Sequence, residues 1–426
     1  MSAQPLAPIL VRGGIAVAAG AAASRVVQLA GWIALARLLA PADFGAVAVA
    51  AIFVNALALL PGLGLGTALA ARSEEPRRLA PAALTASLLA GGVLAAVATG
   101  AGELLARSRG AEVGRVVALL GFSLLFQGAG SVAAAVLDRE LRFRARAASD
   151  VAGSIAFVAV ALIAVRLGLR ADAPALGLVA ASAVTAGANC VAARLAPARR
   201  PDFAALRATA RTGAVVLATS LLQWLFVSAD IWIVEQRFGR EAVGCYGVAL
   251  QLALAPATFL GLLSSRLALP AFAQARARGA PGGAAFERTS RAVVLIAGIA
   301  TALLALAAGP LVRALYGERF AAAGALVPPL ALYAFARVLG SLGGPALLAA
   351  GRARTALWLI LLQNGAAIPT AWLLPDGLGA RGTALVFALA TAAAGLAALR
   401  LGTRALRSEL PGPRAALAAD GGGEFP

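Results

Sequence analysis

The sequence predicts an all-α polytopic membrane protein, with about twelve transmembrane helices arranged as two six-helix lobes. Three observations lead there. The 426-residue chain is 61% hydrophobic and only 13% charged, with a mean hydropathy of +0.87. Its apolar stretches run to about 20 residues, the length an α-helix needs to cross a bilayer. Those stretches are Ala/Leu-rich and do not alternate, whereas a closed β-barrel, the other permitted way to span, needs short alternating strands.

In chain order, spans are expected near residues 12–35, 45–70, 80–102, 114–136, 148–168, 174–195, 212–235, 243–268, 291–313, 322–350, 355–374 and 380–400. If the spans alternate in direction, the arginines of the connections divide unevenly, with 24 on one side and 11 on the other. Cationic residues are retained in the cytoplasm, so the richer set and both termini are expected there. The poorer set faces outward: Arg37, Arg107, Arg109, Arg115, Arg166, Arg170, Arg237, Arg240, Arg313, Arg319 and Arg381.

The net charge of +18 comes from arginine alone. Clustered on a soluble face it would fit nucleic acid. Placed at span ends, it reads as a set of topology determinants that also touch anionic lipid headgroups, so membrane lipids and not nucleic acid are the expected partners. The strip RELRFRAR at 139–146 is such a headgroup-contacting cytoplasmic loop. There is no histidine, which removes imidazole as base or metal ligand. Cys190 and Cys245 lie inside spans without redox or zinc spacing. No catalytic residue, metal or cofactor is therefore expected. The N-terminus lacks the pattern of a cleaved signal peptide, so the first span is expected to be retained. The Pro/Gly-rich segment 408–426 is expected to be a disordered cytoplasmic tail.

A proline-broken elbow, LARLLAPADFGAVAVA at 35–50, separates the first two spans. Pro41 stops one helix, Asp43 is expected to cap the next, and Gly45 lets the turn pack closely. The elbow recurs. WIALAR at 32–37 is echoed by WIVEQR at 232–237, with Phe44-Gly45 following the first copy and Tyr246-Gly247 the second. The copies begin at the first and seventh spans, so residues 1–200 form an N-terminal lobe and residues 201–407 a C-terminal one. Six spans is an even number, which gives both lobes the same orientation and relates them by a pseudo-two-fold axis along the membrane normal.

The run ARLLAPADFGAVAVA, followed by GLGLGTALAAR, resembles the start of bacterial polysaccharide exporters. These are the O-antigen and exopolysaccharide flippases of the multidrug/oligosaccharidyl-lipid/polysaccharide (MOP) superfamily. The likeness continues at LDRELRFRARAASDVAGSIAFV (137–158), SADIWIVEQRFGREAVGCYGVALQLALAPATFL (228–260), LALPAFAQAR (267–276), LYGERFAAAGALVPPLALYAF (315–335) and LLAAGRAR (347–354). The resemblance implies two six-helix lobes around a central cavity. It also implies a cargo of polyisoprenyl-pyrophosphate-linked oligosaccharide, carried by alternating access from the cytoplasmic to the outer face of the inner membrane. Surface polysaccharide, as lipopolysaccharide O-antigen, capsule or exopolysaccharide, would be the end product, with polymerase and chain-length machinery as partners.

Polar residues within spans are the candidate functional groups, because a charge near the bilayer centre costs about 2.5–3.5 kcal/mol on insertion scales. Arg25 shares a helical face with Ser24 and Gln28, where it would hold a pyrophosphate or pair with an internal carboxylate. Arg337, four residues after Tyr333, is a second contact for phosphate or acidic sugar. Asp230 is the deepest carboxylate and Glu235 lies nearer the outer end. These are candidates for coupling to a proton or sodium gradient, and the competing reading of Asp230 is an Asp–Arg pair that locks the lobes. Asn55, Gln127 and Gln251 complete the cavity candidates.

Two alternatives are a drug/cation antiporter of the same superfamily and a polytopic glycan polymerase or ligase. The first calls for a carboxylate-rich cavity, against which the two intramembrane arginines argue. The second calls for a long outward loop with catalytic groups, and the outward connections here are short.

Overall fold

The computed structural model describes residues 6–62, 76–198, 224–225, 227–257, 282–349 and 352–408. Among them there is no strand, and ten helices are long and apolar enough to cross a membrane. The helices are α1 (Leu6–Leu38), α2 (Pro41–Gly62), α3 (Pro76–Arg109), α4 (Ala111–Arg139), α5 (Phe143–Arg166) and α6 (Asp172–Ala193). After a helical stretch at 227–257 come α7 (Gly282–Leu306), α8 (Ala308–Tyr316), a 3-10 turn at Glu318–Phe320, α9 (Ala323–Ala349), α10 (Ala353–Leu373), a second 3-10 turn at Asp376–Leu378 and α11 (Gly379–Ser408). Ala- and Leu-rich segments favour helix, and helices this apolar on all faces suit lipid.

The expected spans at 45–70, 212–235 and 243–268 lie partly outside the described residues, and the tail from 409 lies outside them. Residues 227–257 are nevertheless informative. Gly239 has φ +81°, and the chain reverses there to form a hairpin. Glycines with positive φ also mark the turns at Gly110, Gly168, Gly317 and Gly379. All five fall in connections assigned to the outward side, where the loops are tight. The sixth outward connection turns at Pro41 instead.

The residues pack as two compact units, Met1–Gly247 with Val312–Ala322, and Val248–Leu311 with Ala323–Pro426. In the first unit α4 is the central helix, buried along most of its length from Val113 to Leu137. Small residues let its neighbours approach, as expected where packing rather than water exclusion drives helix association. Gly102 and Gly114 are reciprocal, each standing where an added Cβ would meet the other's carbonyl oxygen at 2.5 and 2.3 Å. Ala80, Ala83, Ala129, Ala133 and Ala193 continue the α3–α4–α6 seam. In the second unit Gly343 and Gly395 bring α9 and α11 together, with Gly395 facing the Ala336 carbonyl.

On the side assigned to the cytoplasm, the α4–α5 turn carries the 139–146 arginine strip. Arg77 bonds Glu140, and this hydrogen bond holds the Glu140 carboxyl below its usual range. Arg142 donates to the Ala192 carbonyl, tying the turn to the end of α6. The strip is therefore partly engaged with protein as well as open to headgroups.

Candidate functional site

The proline elbow is built differently from its expected cap. Pro41 occupies the first helical position of α2, where its missing N–H costs nothing. Asp43 reaches back so that its Oδ2 accepts from the Ala40 amide at 2.8 Å, as the third residue of a capping box does. Its Oδ1 lies 3.3 Å from Arg170 in the α5–α6 turn.

The second elbow packs on the first. A Cβ on Gly45 would fall 1.9 Å from the Arg240 carbonyl oxygen, and one on Gly244 would fall 1.8 Å from that of Pro41. The reciprocity pairs Gly45 with Gly244. The sequence echo had paired Gly45 with Gly247, but Gly247 faces open space. The turn of the second copy differs in length from the first, which shifts the true register.

Around these elbows the outward-side arginines are largely spent on protein. Arg109 pairs with Glu235, and Arg240 lies 3.3 Å from Glu112 and donates to the Arg109 carbonyl at 3.1 Å. Arg115 bonds Asp172 at 2.7 Å. Arg37 donates to the carbonyls of Leu315, at 2.9 Å, and Ala314. The α3–α4 turn is thereby tied to the 236–242 turn, and the segment 312–316 to the end of α1, within the first unit. Of the two coupling candidates, Glu235 is held by Arg109. Asp230 is buried and accepts from the Tyr246 hydroxyl at 2.9 Å.

A second polar group lies between α1 and α5. The hydroxyls of Ser24 and Ser154 are 2.5 Å apart, Ser24 donates to the Asp150 carbonyl at 3.2 Å, and Gln28 Nε2 donates to Ser154 at 3.2 Å. Arg146 Nε is 3.5 Å from Asp150 Oδ2. Gly20 and Gly31 allow the approach, since a Cβ at Gly20 would come within 2.3 Å of Ala147 Cβ. Arg25 sits on this strip and interacts electrostatically with Asp150. It is exposed on the first unit rather than buried in it, so its guanidinium is open to a ligand. Asp150 and Ser154 were missed by sequence reasoning. Their spacing of four along a span, matching Ser24 and Gln28, is the signal that could have found them.

The remaining candidates are dispersed. Asn55 is exposed on α2, and Gln127 is exposed on α4 with its amide donating to Ser123 at 2.9 Å. In the second unit, Arg337 is exposed on α9 with its guanidinium 5.8 Å from the Tyr333 ring centroid, and Gln251 is half-buried. Gln363 and Thr391 link α10 to α11 at 2.9 Å. The arrangement offers hydrogen-bond donors and guanidinium groups along apolar helices, a chemistry suited to holding an anionic or hydroxyl-rich ligand. Among the described residues no cluster of three His, Cys, Asp or Glu forms.

Comparison with known proteins identifies the family and the fold. Residues 34–324 match the family described as polysaccharide biosynthesis protein. The succinoglycan biosynthesis transport protein ExoT of Rhizobium meliloti is 25% identical over 306 residues, covering 70% of this chain and 60% of that protein. The chain spans between 36% and 60% of the length of the curated relatives it matches. Among solved structures, the lipid II flippase MurJ in an inward closed conformation superposes with a TM-score of 0.73 at 12% identity, covering 92% of this chain and 87% of that one. An outward-facing multidrug resistance MATE family transporter of the MOP superfamily gives 0.63 at 20% identity, covering 94% and 97%. The fold is that of these transporters.

Proposed function

Because the chain belongs to the family of polysaccharide biosynthesis proteins, we propose that it is a flippase for lipid-linked oligosaccharide. Its cargo in this reading is a polyisoprenyl-pyrophosphate-linked repeat unit, moved by alternating access from the cytoplasmic to the outer face of the inner membrane without covalent change. In this reading both termini lie in the cytoplasm, a side that the excess of arginine in the connections favours. A polymerase and chain-length apparatus would consume the flipped unit.

The family match over 34–324 carries the proposal. The fold shared with a lipid II flippase and the name of the transport relative support it. The polar strip on α1 adds chemistry in keeping with an anionic headgroup. Arg25 stands open on that strip, with Ser24 and Gln28 beside it. Carboxylates that a cation antiporter would offer to its cargo are otherwise engaged here, Asp230 with Tyr246 and Glu235 with Arg109. Coupling to a proton or sodium gradient through Asp230 or Glu235 remains part of the proposal.

The test is an analysis of lipid-linked glycans in a strain lacking the gene, with a membrane-impermeant probe to assign each glycan to a face. The proposal expects completed repeat units to accumulate on the cytoplasmic face with loss of surface polysaccharide. Accumulation on the outer face would point to a polymerase or ligase. Unchanged polysaccharide with altered drug sensitivity would point to an antiporter.

A further inference from the structure

We propose that the cleft between the end of α1 and the turn at 313–319 binds the phosphate or diphosphate headgroup of a membrane lipid. A cavity of about 440 Å³ lies there, walled by Arg37, Arg313, Tyr316, Glu318 and Arg319. Three guanidinium groups face one carboxylate, which leaves the cleft cationic.

The guanidinium groups are unequally occupied. Arg37 is pinned by two of its donors on the carbonyls of Ala314 and Leu315. A guanidinium carries five N–H groups, so the others stay available in a fixed orientation. Arg313 and Glu318 are 3.7 Å apart with both side chains largely exposed, a pairing that contributes little in water. Arg319 is exposed and forms no ion pair among the described residues.

Tyr316 is a buried member of the cleft's lining. Tyr316 is 1% exposed, and its hydroxyl has no hydrogen-bond partner among the described residues. Buried polar atoms are rarely left so. Burial pushes that hydroxyl up to about 12, which keeps it a donor across the physiological range.

The cleft is also pre-formed. Gly317 turns the chain at φ +85°. A chain of rings runs from Tyr316 to Phe320, Phe44 and Trp32 at centroid distances of 6.3, 5.3 and 5.6 Å. This anchors the turn on the elbow between α1 and α2, so little ordering is needed on binding.

Position selects the ligand class. Arg37 is next to the last residue of the span Ala19–Leu38, and Arg319 stands just before the span Ala323–Leu347. The cleft therefore lies at the level where a bilayer keeps its phosphates. Guanidinium groups bind phosphate oxygens in bidentate fashion, whereas a neutral sugar has no need of three cations. The occupant is either an anionic phospholipid or, resting on the flippase proposal, the diphosphate of the carrier lipid after it has crossed. In that case this is a release-side station distinct from the Arg25 strip.

The full chain in zwitterionic lipid nanodiscs, titrated with polyprenyl diphosphate or with phosphatidylglycerol and read by native mass spectrometry, tests the site. Arg319→Glu and Arg313→Ala are expected to weaken binding about tenfold or more, a loss typical of a charge-assisted contact. Arg381→Glu, at another outward turn, serves as the control and should bind as the parent does. Loss of the diphosphate lipid alone identifies the carrier, and loss of both lipids identifies a general lipid-phosphate site. Parental binding of both lipids by both cleft variants would overturn the proposal. Transport by the same variants reconstituted in sealed vesicles separates the two readings. Arginine-dependent binding without any transport would refute the flippase and leave the cleft standing.

Discussion

The Tyr246 hydroxyl donates to Asp230 Oδ2 at 2.9 Å, although the residues are 16 apart in sequence. In one continuous helix they would be about 24 Å apart. The contact therefore requires the reversal at Gly239, and it clamps the two arms of that hairpin through a buried carboxylate.

Replacing Tyr246 by Phe leaves that carboxylate short of a donor in a buried setting. The expected cost is about 1–3 kcal/mol. Thermal unfolding in detergent should place Tyr246→Phe below Asp230→Asn, which removes the charge while keeping an acceptor. The clamp carries no weight if Tyr246→Phe unfolds with the parent.

The two elbows make a steric prediction. Gly45→Ala and Gly244→Ala each drive a methyl into backbone, at 1.9 and 1.8 Å, where nothing flexible can yield. Either is expected to lower the yield of folded protein sharply. Gly247→Ala meets nothing within 4 Å and should leave yield unchanged in size-exclusion profiles. Equal behaviour of the three would show that the elbows do not touch.

Much of this was legible in the sequence, and the exceptions have physical reasons. Span-length apolar runs announced a helical membrane protein, and the blocks from ARLLAPADFG onward announced a polysaccharide family. Both are borne out by the ten span-length helices, the family match and the MurJ and MATE folds. The elbow repeat was visible as W-I-x-x-x-R, yet its register was not. Register is set by which carbonyl each glycine touches, and that is a property of packing. The ion pairs were hidden for a similar reason. Arg109 and Glu235 are 126 positions apart, and no local pattern joins them. Asp150 and Ser154 were overlooked because their partners lie 126 or more positions away, and only the packing of α1 on α5 sets Ser24 against the Asp150 carbonyl and Gln28 against Ser154.

At the candidate ligand strip, Arg25→Ala is expected to slow transport by about tenfold or more, the loss of one charge-assisted hydrogen bond. Arg337→Ala should do the same from the second unit. Transport assays on normally inserted variants check both. Parental rates for the pair would remove these residues from the ligand path.

Acid should loosen the turn between α4 and α5. The folded carboxyl of Glu140 titrates below its unfolded value, chiefly through the hydrogen bond from Arg77. Its stabilising contribution is thus complete above the ordinary glutamate range and is lost as pH falls through the depressed folded value. Amide protection factors near residues 139–143, which correct for the intrinsic slowing of exchange in acid, should fall below about pH 4.5 in the parent and be less sensitive to pH in Glu140→Gln. An identical acid response in the two proteins would assign the loosening to other groups.

The most direct test of the central claim is reconstitution of the purified chain in sealed vesicles with a fluorescent polyprenyl-diphosphate oligosaccharide. A membrane-impermeant quencher then reports which leaflet holds the label. The account predicts that label shielded in the inner leaflet becomes quenchable only when the protein is present, and about tenfold more slowly with Arg25→Ala. The same leaflet distribution in vesicles with and without correctly folded protein would contradict it.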